Sequence, residues 1–316
     1  KTIEVKLGGE NIMKGNYREK YLYYKRQATP YILLAPILLF VSLFLLWPMA
    51  NAFIMRLQDY QLLKPKDRQF IGFQNFITVF TEDEVFMKAI KNSVIWVAVS
   101  VAAQTVLGFW LAYLLNQKFK GRGFIRALLL SPWAVAGVMV AIIWSLIYGE
   151  TFGVLNDLLL KLGIIDKNIS WFSDSNRAML AVIIANVWRG IPFFTISYLS
   201  ALTSISDDIY ESARIDGART WTTLFKITLP MIKDTIVITT LLRSIWTFNA
   251  VDLINTLTGG GPNNATMTMP LYIMQKFKLE YNYGYASALA AIASCIMMIV
   301  AFAYIRIGKL GKEEMY

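Results

Sequence analysis

Thr203-Ser-Ile-Ser-Asp-Asp-Ile-Tyr-Glu-Ser-Ala-Arg-Ile-Asp-Gly-Ala-Arg-Thr-Trp-Thr-Thr-Leu-Phe-Lys-Ile-Thr-Leu-Pro230 is a polar stretch set between two long apolar runs, about 178–200 and 234–256. It reads as two short helices. Ser206, Asp207 and Asp208 supply N-cap chemistry and acidic charge for a first turn. Ile209, Ala213 and Ala218 give that helix a small, partly apolar face, and Gly217 permits the left-handed turn that ends it. A second helix runs over Trp221, Leu224, Phe225 and Ile227 until Pro230 stops it. An amphipathic loop lying on a membrane is the bland alternative. The segment is not strongly basic, however, and its small residues suit docking against a protein better than insertion into lipid.

Outward from this segment the chain is dominated by apolar runs, at 31–54, 92–115, 124–148, 178–200, 234–256 and 285–305. Each is close to the ~20 residues that cross ~30 Å of hydrocarbon, so the expected fold is all-α, a polytopic membrane bundle of about six helices. The totals agree. Of 316 residues 56% are hydrophobic and 16% charged, with a mean hydropathy of +0.47, whereas a soluble domain carries roughly a quarter charged residues. The first run is too long for the apolar core of a signal peptide and ends in Trp47-Pro48 and Arg56, so it is read as a span. The chain then divides into a basic arm (1–30), a transmembrane domain (31–308) that includes the 203–230 loop, and a short tail (309–316).

The basic residues orient the bundle. The arm (Lys14, Arg18, Lys20, Lys25, Arg26), the loop with Lys118, Lys120, Arg122 and Arg126, the loop with Arg214, Arg219, Lys226 and Lys233, and the tail with Arg306, Lys309 and Lys312 share one side. The longer opposite loops carry Asp67, Glu82, Asp83, Glu84, Glu150, Asp157, Asp166 and Asp174. The positive-inside rule places the first set, and both termini, in the cytoplasm. The net charge of +10 is then a membrane signature, and with no aromatic-interleaved basic groove no nucleic acid is expected. The chain has one cysteine, Cys295, and no histidine. No disulfide, zinc site or imidazole base follows, and neither a nucleophile elbow nor a nucleotide-binding loop occurs. Neither catalytic nor metal-ligating residues are expected.

Glu211-Ser-Ala-x-x-Asp216-Gly217-Ala218, followed by Ile227-x-Leu229-Pro230, resembles the EAA loop of ABC importer permeases, with Ser212 where that family usually has alanine. Leu34-Ala35-Pro36, Phe70-Ile-Gly-Phe-Gln-Asn-Phe76, Thr258-Gly-Gly-Gly-Pro262 and Gly284-Tyr-Ala286 extend the likeness to carbohydrate importers. Within these the chain is similar to a short form of the MalF-like permease subunits, without their large extra periplasmic domain. The resemblance implies a type I importer permease in the bacterial inner membrane. It further implies a coupling helix seated in an ATPase groove through Glu211, Ala213, Asp216, Gly217 and Ala218. The implied partners are a second homologous permease, two ATPase subunits that bind ATP and Mg, and a periplasmic or lipid-anchored solute-binding protein.

Polar residues inside the spans usually face the bundle interior or a wet cavity. The fourth run holds Asn186, Trp188, Arg189, Gly190 and Pro192, and the fifth Arg243, Trp246, Asn249, Asp252 and Asn255. On one continuous helix Ile245, Asn249, Asp252 and Thr256 would share a face. The resemblance places a saccharide site on Asn186, Arg189, Gly190, Phe193, Asn249 and Asp252. Arg189 either meets substrate, an acidic saccharide such as a uronate oligomer included, or pairs with Asp252 or the partner subunit. Arg243 is read as structural. An ion-coupled secondary transporter is the competing function, with Asp252 its only acidic candidate. A membrane glycosyltransferase would need an acidic catalytic motif that is not found.

The topology is directly testable. With Cys295 replaced by alanine, cysteines at positions 120 and 309 should label only from the cytoplasm and one at 166 only from the periplasm. Labelling of 120 and 166 from the same side would sink the six-span arrangement.

Overall fold

The computed structural model describes Leu22 and residues 29–31, 33–117 and 119–308; the expectations for the N-terminal arm, Lys118 and the tail 309–316 fall outside these. The described residues are mostly helical, as expected, and form two units, one ending at Met55 and the other beginning at Arg56. In the first, α1 (Leu33–Met55) has a mean hydropathy of 2.3 and buries none of its apolar window. It contains a π turn at Ser42–Leu46 in which the Trp47 N–H reaches back to the Ser42 carbonyl. Pro48 follows at once. A proline ring clashes with the carbonyl four residues back and offers no N–H, and widening the preceding turn relieves both defects.

The second unit opens with a two-stranded clip. β1 (Gln58–Asp59) pairs antiparallel with β2 (Gln69–Phe70), Gln58 opposite Phe70. The other flank of this segment pairs Gln61 with Asn282, and the Tyr283 N–H donates to the Tyr60 carbonyl at 2.9 Å. Gly284 has no side chain where the Gln58 carbonyl passes. Asn75, on α2 (Gln74–Thr81), donates to the carbonyls of Arg56 (2.9 Å) and Gln58 (3.0 Å). Two sequence motifs about two hundred residues apart, around Phe70 and around Gly284, are therefore halves of one clip.

The longest helix–helix interface joins α3 (Glu84–Asn116) to α7 (Ser175–Thr203). Between them come α4 (Arg122–Ala134), α5 (Gly137–Ile147) and α6 (Val154–Lys161). The expected single span 124–148 is corrected here. Val135 and Ala136 are extended, and α4 and α5 meet at 100°. The run 234–256 is also broken. Α short helix α8 (Asp207–Ile215) and a turn α9 (Thr220–Thr223) lead to α10 (Lys233–Asn249); Ala250 is extended, and α11 (Asp252–Leu257) begins anew. Then α12 (Met269–Lys278) precedes the last helix, α13 (Tyr283–Gly308). By length and composition four described helices can cross a membrane, five if the bent pair counts as one.

Asp83 anchors the end of the bundle that carries the clip. Its Oδ1 caps α3 by accepting from the N–H groups of Val85 (2.9 Å) and Phe86 (3.0 Å). Its Oδ2 accepts from the hydroxyls of Tyr272 (2.7 Å) and Tyr285 (2.5 Å), so one carboxylate ties α3, α12 and α13 together. Burial and the bond to Asp83 push the Tyr272 hydroxyl far above the usual tyrosine range, so it remains a donor throughout the physiological pH range. Beside it, Asn92 donates to the carbonyls of Asn264 (2.9 Å) and Met267 (3.0 Å), and the Ser93 hydroxyl accepts from the Met269 N–H at 2.8 Å. The Thr258–Pro262 motif belongs to the loop these bonds hold.

Asp83→Ala should cost roughly 2–4 kcal/mol, the sum of a lost N-cap and charge-assisted hydrogen bonds. A fall in the thermal midpoint of the purified complex reads this out, and Asp83→Asn should lower it less. An unchanged midpoint for Asp83→Ala would remove the anchor.

Candidate functional site: an intramembrane cavity and a docking helix

The docking helix α8 starts as the sequence predicts. The Ser206 hydroxyl accepts from the Asp208 N–H (3.3 Å), and Asp207 and Asp208 occupy the first turn. It ends at Gly217, which has φ of +76°, with the Ala218 N–H donating to the Ala213 carbonyl at 2.9 Å. Glu211, Asp216 and Gly217 are exposed, whereas Ala213 is buried against its own chain and Ala218 half-buried. The second helix departs from expectation. After α9 comes a π turn, Leu224–Thr228, and helix continues over Leu229–Met231. Pro230 therefore does not stop the helix; as with Pro48, a π turn precedes it and takes up the defect.

This segment is bolted to the bundle. Leu224 and Ile232 join Phe109, Ala112, Leu115, Phe194, Tyr198 and Leu202 in one apolar core. The Tyr210 hydroxyl lies 3.4 Å from that of Thr228. Outside, Trp221 meets Trp110 edge-on at 6.2 Å and stacks on Phe225 at 6.0 Å.

The second feature is a cavity of about 300 Å³ lined by Trp133, Asn186, Arg189, Arg243, Trp246, Thr247 and Ala250. Both helix breaks border it: Trp133 lies next to the Val135–Ala136 break, and Ala250 is the α10–α11 break. Non-helical backbone at membrane depth is tolerated where it is buried in protein or lines a cavity, which is the arrangement here. The rear wall is a buried polar chain. Gln104 donates to the Asn186 carbonyl (2.8 Å), and its Oε1 accepts from Arg243 Nε (3.0 Å). Arg243 Nη2 reaches Asn186 Oδ1 at 3.5 Å. Gly190 is obligatory at this crossing, since a side chain there would strike the Gln104 amide and come within 2.6 Å of Arg243 Nη2. Two side-chain atoms of lining residues are buried without a partner, Asn186 Nδ2 and Thr247 Oγ1.

The expected site residues separate. Asn186 and Arg189 line the cavity, Gly190 lets the polar chain cross α7, and Phe193 packs on Trp246 at 5.2 Å. Asn249 and Asp252 do not line it. The break at Ala250 removes the shared helical face, both side chains are exposed, and Asn249 donates to its own helix at the Ile245 carbonyl (2.9 Å). Arg189 and Asp252 flank Gly137, where an added Cβ would lie 3.0 Å from Arg189 Nη1 and 3.4 Å from Asp252 Cβ. They form no ion pair with each other; the ion pairs among the described residues are Lys161–Asp157, Arg177–Asp174 and Lys276–Glu280. The sequence reading missed Gln104, Thr247 and Trp133. Gln104 alone carried a signal, an amide in the middle of an apolar run.

A family model described as the binding-protein-dependent transport system inner membrane component matches residues 104–309. The trehalose/maltose transport system permease protein MalF of Thermococcus litoralis is 32% identical over 301 residues, 95% of this chain and 100% of that protein. The sulfoquinovosyl glycerol transport system permease protein SmoG of Agrobacterium fabrum is 32% identical over 276 residues, 87% of this chain and 89% of that one. The fold is similar to a chain in the crystal structure of a bacterial ABC transporter involved in the import of the acidic polysaccharide alginate. That match has a TM-score of 0.77 at 23% identity and covers 93% of this chain and 100% of the other. The chain belongs to the binding-protein-dependent inner membrane components of ABC importers, as a multi-pass permease subunit that performs transport and carries no enzymatic activity.

Proposed function

We propose that this chain is one of two permease halves that move an oligosaccharide, uronate oligomers included, inward across the membrane by alternating access. The observation that carries the reading is the cavity between the helix breaks, lined by the polar residues Asn186 and Thr247, each of which keeps one buried side-chain atom without a partner. Amide and hydroxyl groups suit the hydroxyls of a sugar, and Trp133 and Trp246 offer aromatic faces to its apolar side. Relatives named for trehalose/maltose and sulfoquinovosyl glycerol transport support a saccharide, as does the likeness to an alginate importer captured with its pentasaccharide-bound periplasmic protein. In this proposal Asn186, Arg189, Gly190 and Phe193 bring α7 to the substrate path, while Asn249 and Asp252 stand at its exposed margin.

The drive comes from outside the chain. Two partner ATPase subunits bind ATP and Mg and receive α8, and a solute-binding protein delivers substrate on the opposite, clip-bearing side. Glu211, Asp216 and Gly217 form the exposed docking surface, and Ala213 and Ala218 seat α8 on its own bundle. Both termini are cytoplasmic in this arrangement, on the side rich in lysine and arginine.

Asn186→Ala should lower saccharide uptake and binding-protein-stimulated ATP hydrolysis on the order of tenfold, the effect of losing about one hydrogen bond. Parent rates in reconstituted vesicles would refute the cavity as the substrate path. Gly217→Val forces a β-branched residue into a left-handed turn, at about 1–3 kcal/mol. It should abolish uptake and weaken co-purification of the ATPase while leaving membrane insertion intact. Transport at the parent rate would instead free α8 of a coupling role.

A further inference from the structure

We infer that Arg243 is a specificity-determining residue which, together with Arg189, makes the cavity select an anionic saccharide over a neutral one. The inference rests on the cavity being the saccharide path. Arg243 is 9% exposed, and its hydrogen-bond acceptors, Gln104 Oε1 and Asn186 Oδ1, are both neutral. Arg189 lines the same cavity, and no acidic side chain does. Neither arginine belongs to any ion pair among the described residues. Asp252, the nearest acidic candidate in the sequence, is exposed and absent from the wall.

A purely structural intramembrane arginine is expected to be paired with a carboxylate or saturated by carbonyls. Here two guanidiniums face one cavity, which costs desolvation and mutual repulsion. The α4–α5 break adds the N-terminal end of α5, at Gly137, beside Arg189, and this end carries no side-chain cap. All three features favour negative charge; Asp252, exposed beside Gly137, already offers some to Arg189 and the helix end, which leaves Arg243 as the charge without a nearby carboxylate. A bound carboxylate or sulfonate would relieve them, since a guanidinium presents paired donors that match such groups. The side chain of Arg243 is aimed by Gln104, which is fully buried, and both occupy the space left open at Gly190. The arginine is thus held in one orientation by neutral partners, with its charge uncompensated.

The test uses the assembled importer in lipid nanodiscs without its solute-binding protein, so that the partner's own selectivity does not enter. Two probes are titrated, a uronic-acid trisaccharide and its fully methyl-esterified form, which differ only in charge and the ester methyls. The parent should prefer the acid. Arg243→Gln should reduce the acid-to-ester affinity ratio on the order of tenfold or more, the effect of one charge-assisted contact, and Arg243→Lys should restore much of it. A ratio near one in the parent, or a ratio unchanged in Arg243→Gln, overturns the inference. Equal loss of both probes in Arg243→Gln makes the residue structural and overturns it as well. If the parent binds neither probe, the saccharide path itself is wrong and this inference falls with it.

Discussion

Backbone groups inside a bilayer have no water to bond, so a helix can break there only where protein or a lined cavity satisfies the freed groups. Both internal breaks of this bundle obey that constraint at the same place. At the end of α10, Trp96 is fully buried and its indole N–H donates to the Thr247 carbonyl at 2.8 Å, in the turn before the break. At the other break, Val135 and Ala136 are extended between α4 and α5, and Trp133 contributes to the cavity wall. The cavity is therefore a condition of the fold as well as the proposed substrate path. Filling it would leave two stretches of irregular backbone without a medium.

The polar chain Gln104–Asn186–Arg243 serves the same end from the opposite wall. It joins α3, α7 and α10 by side-chain bonds of 2.8 to 3.5 Å, deep in a bundle whose remaining contacts are mostly apolar. Partly satisfied buried networks are costly, so each open donor in one calls for an explanation. Two lining residues each keep one buried side-chain atom without a partner, Asn186 Nδ2 and Thr247 Oγ1. The residues that tie the three helices together are thus the ones proposed to meet the substrate.

Much of this was legible in the sequence. Long apolar runs announced the spans, Ser206 and Gly217 marked the two ends of α8, and the EAA-like spacing pointed to the family. The breaks were not legible. Hydropathy over 124–148 and 234–256 is nearly continuous, and nothing in Val135-Ala136 or Ala250-Val251 disfavours helix strongly; tertiary contacts with Trp96, Arg189 and their neighbours decide. For the same reason the assumed helical face joining Asn249 to Asp252 failed. Prolines misled in a subtler way. Pro230 reads as a terminator, but the helix continues past it after a π turn that takes up the defect, as it also does at Pro48. Arg243 reads as structural from its place nearer one end of its helix; its neutral acceptors and its share in the cavity lining are visible only in the fold.

The contrast between α7 and its neighbours has a mechanical meaning. Among the helices bordering the cavity, α4–α5 and α10–α11 are jointed, whereas α7 runs unbroken over Ser175–Thr203 and adjoins the docking segment at its far end. From Thr203 to Arg189 is fourteen residues, or ~21 Å of continuous helix that includes Pro192. Under the proposed coupling, a stroke applied to α8 reaches Asn186 and Arg189 along one continuous helix, and the jointed helices opposite are where the backbone yields. In that proposed arrangement lever and hinges act on the same chamber, so a thrust at α8 becomes a change in its width.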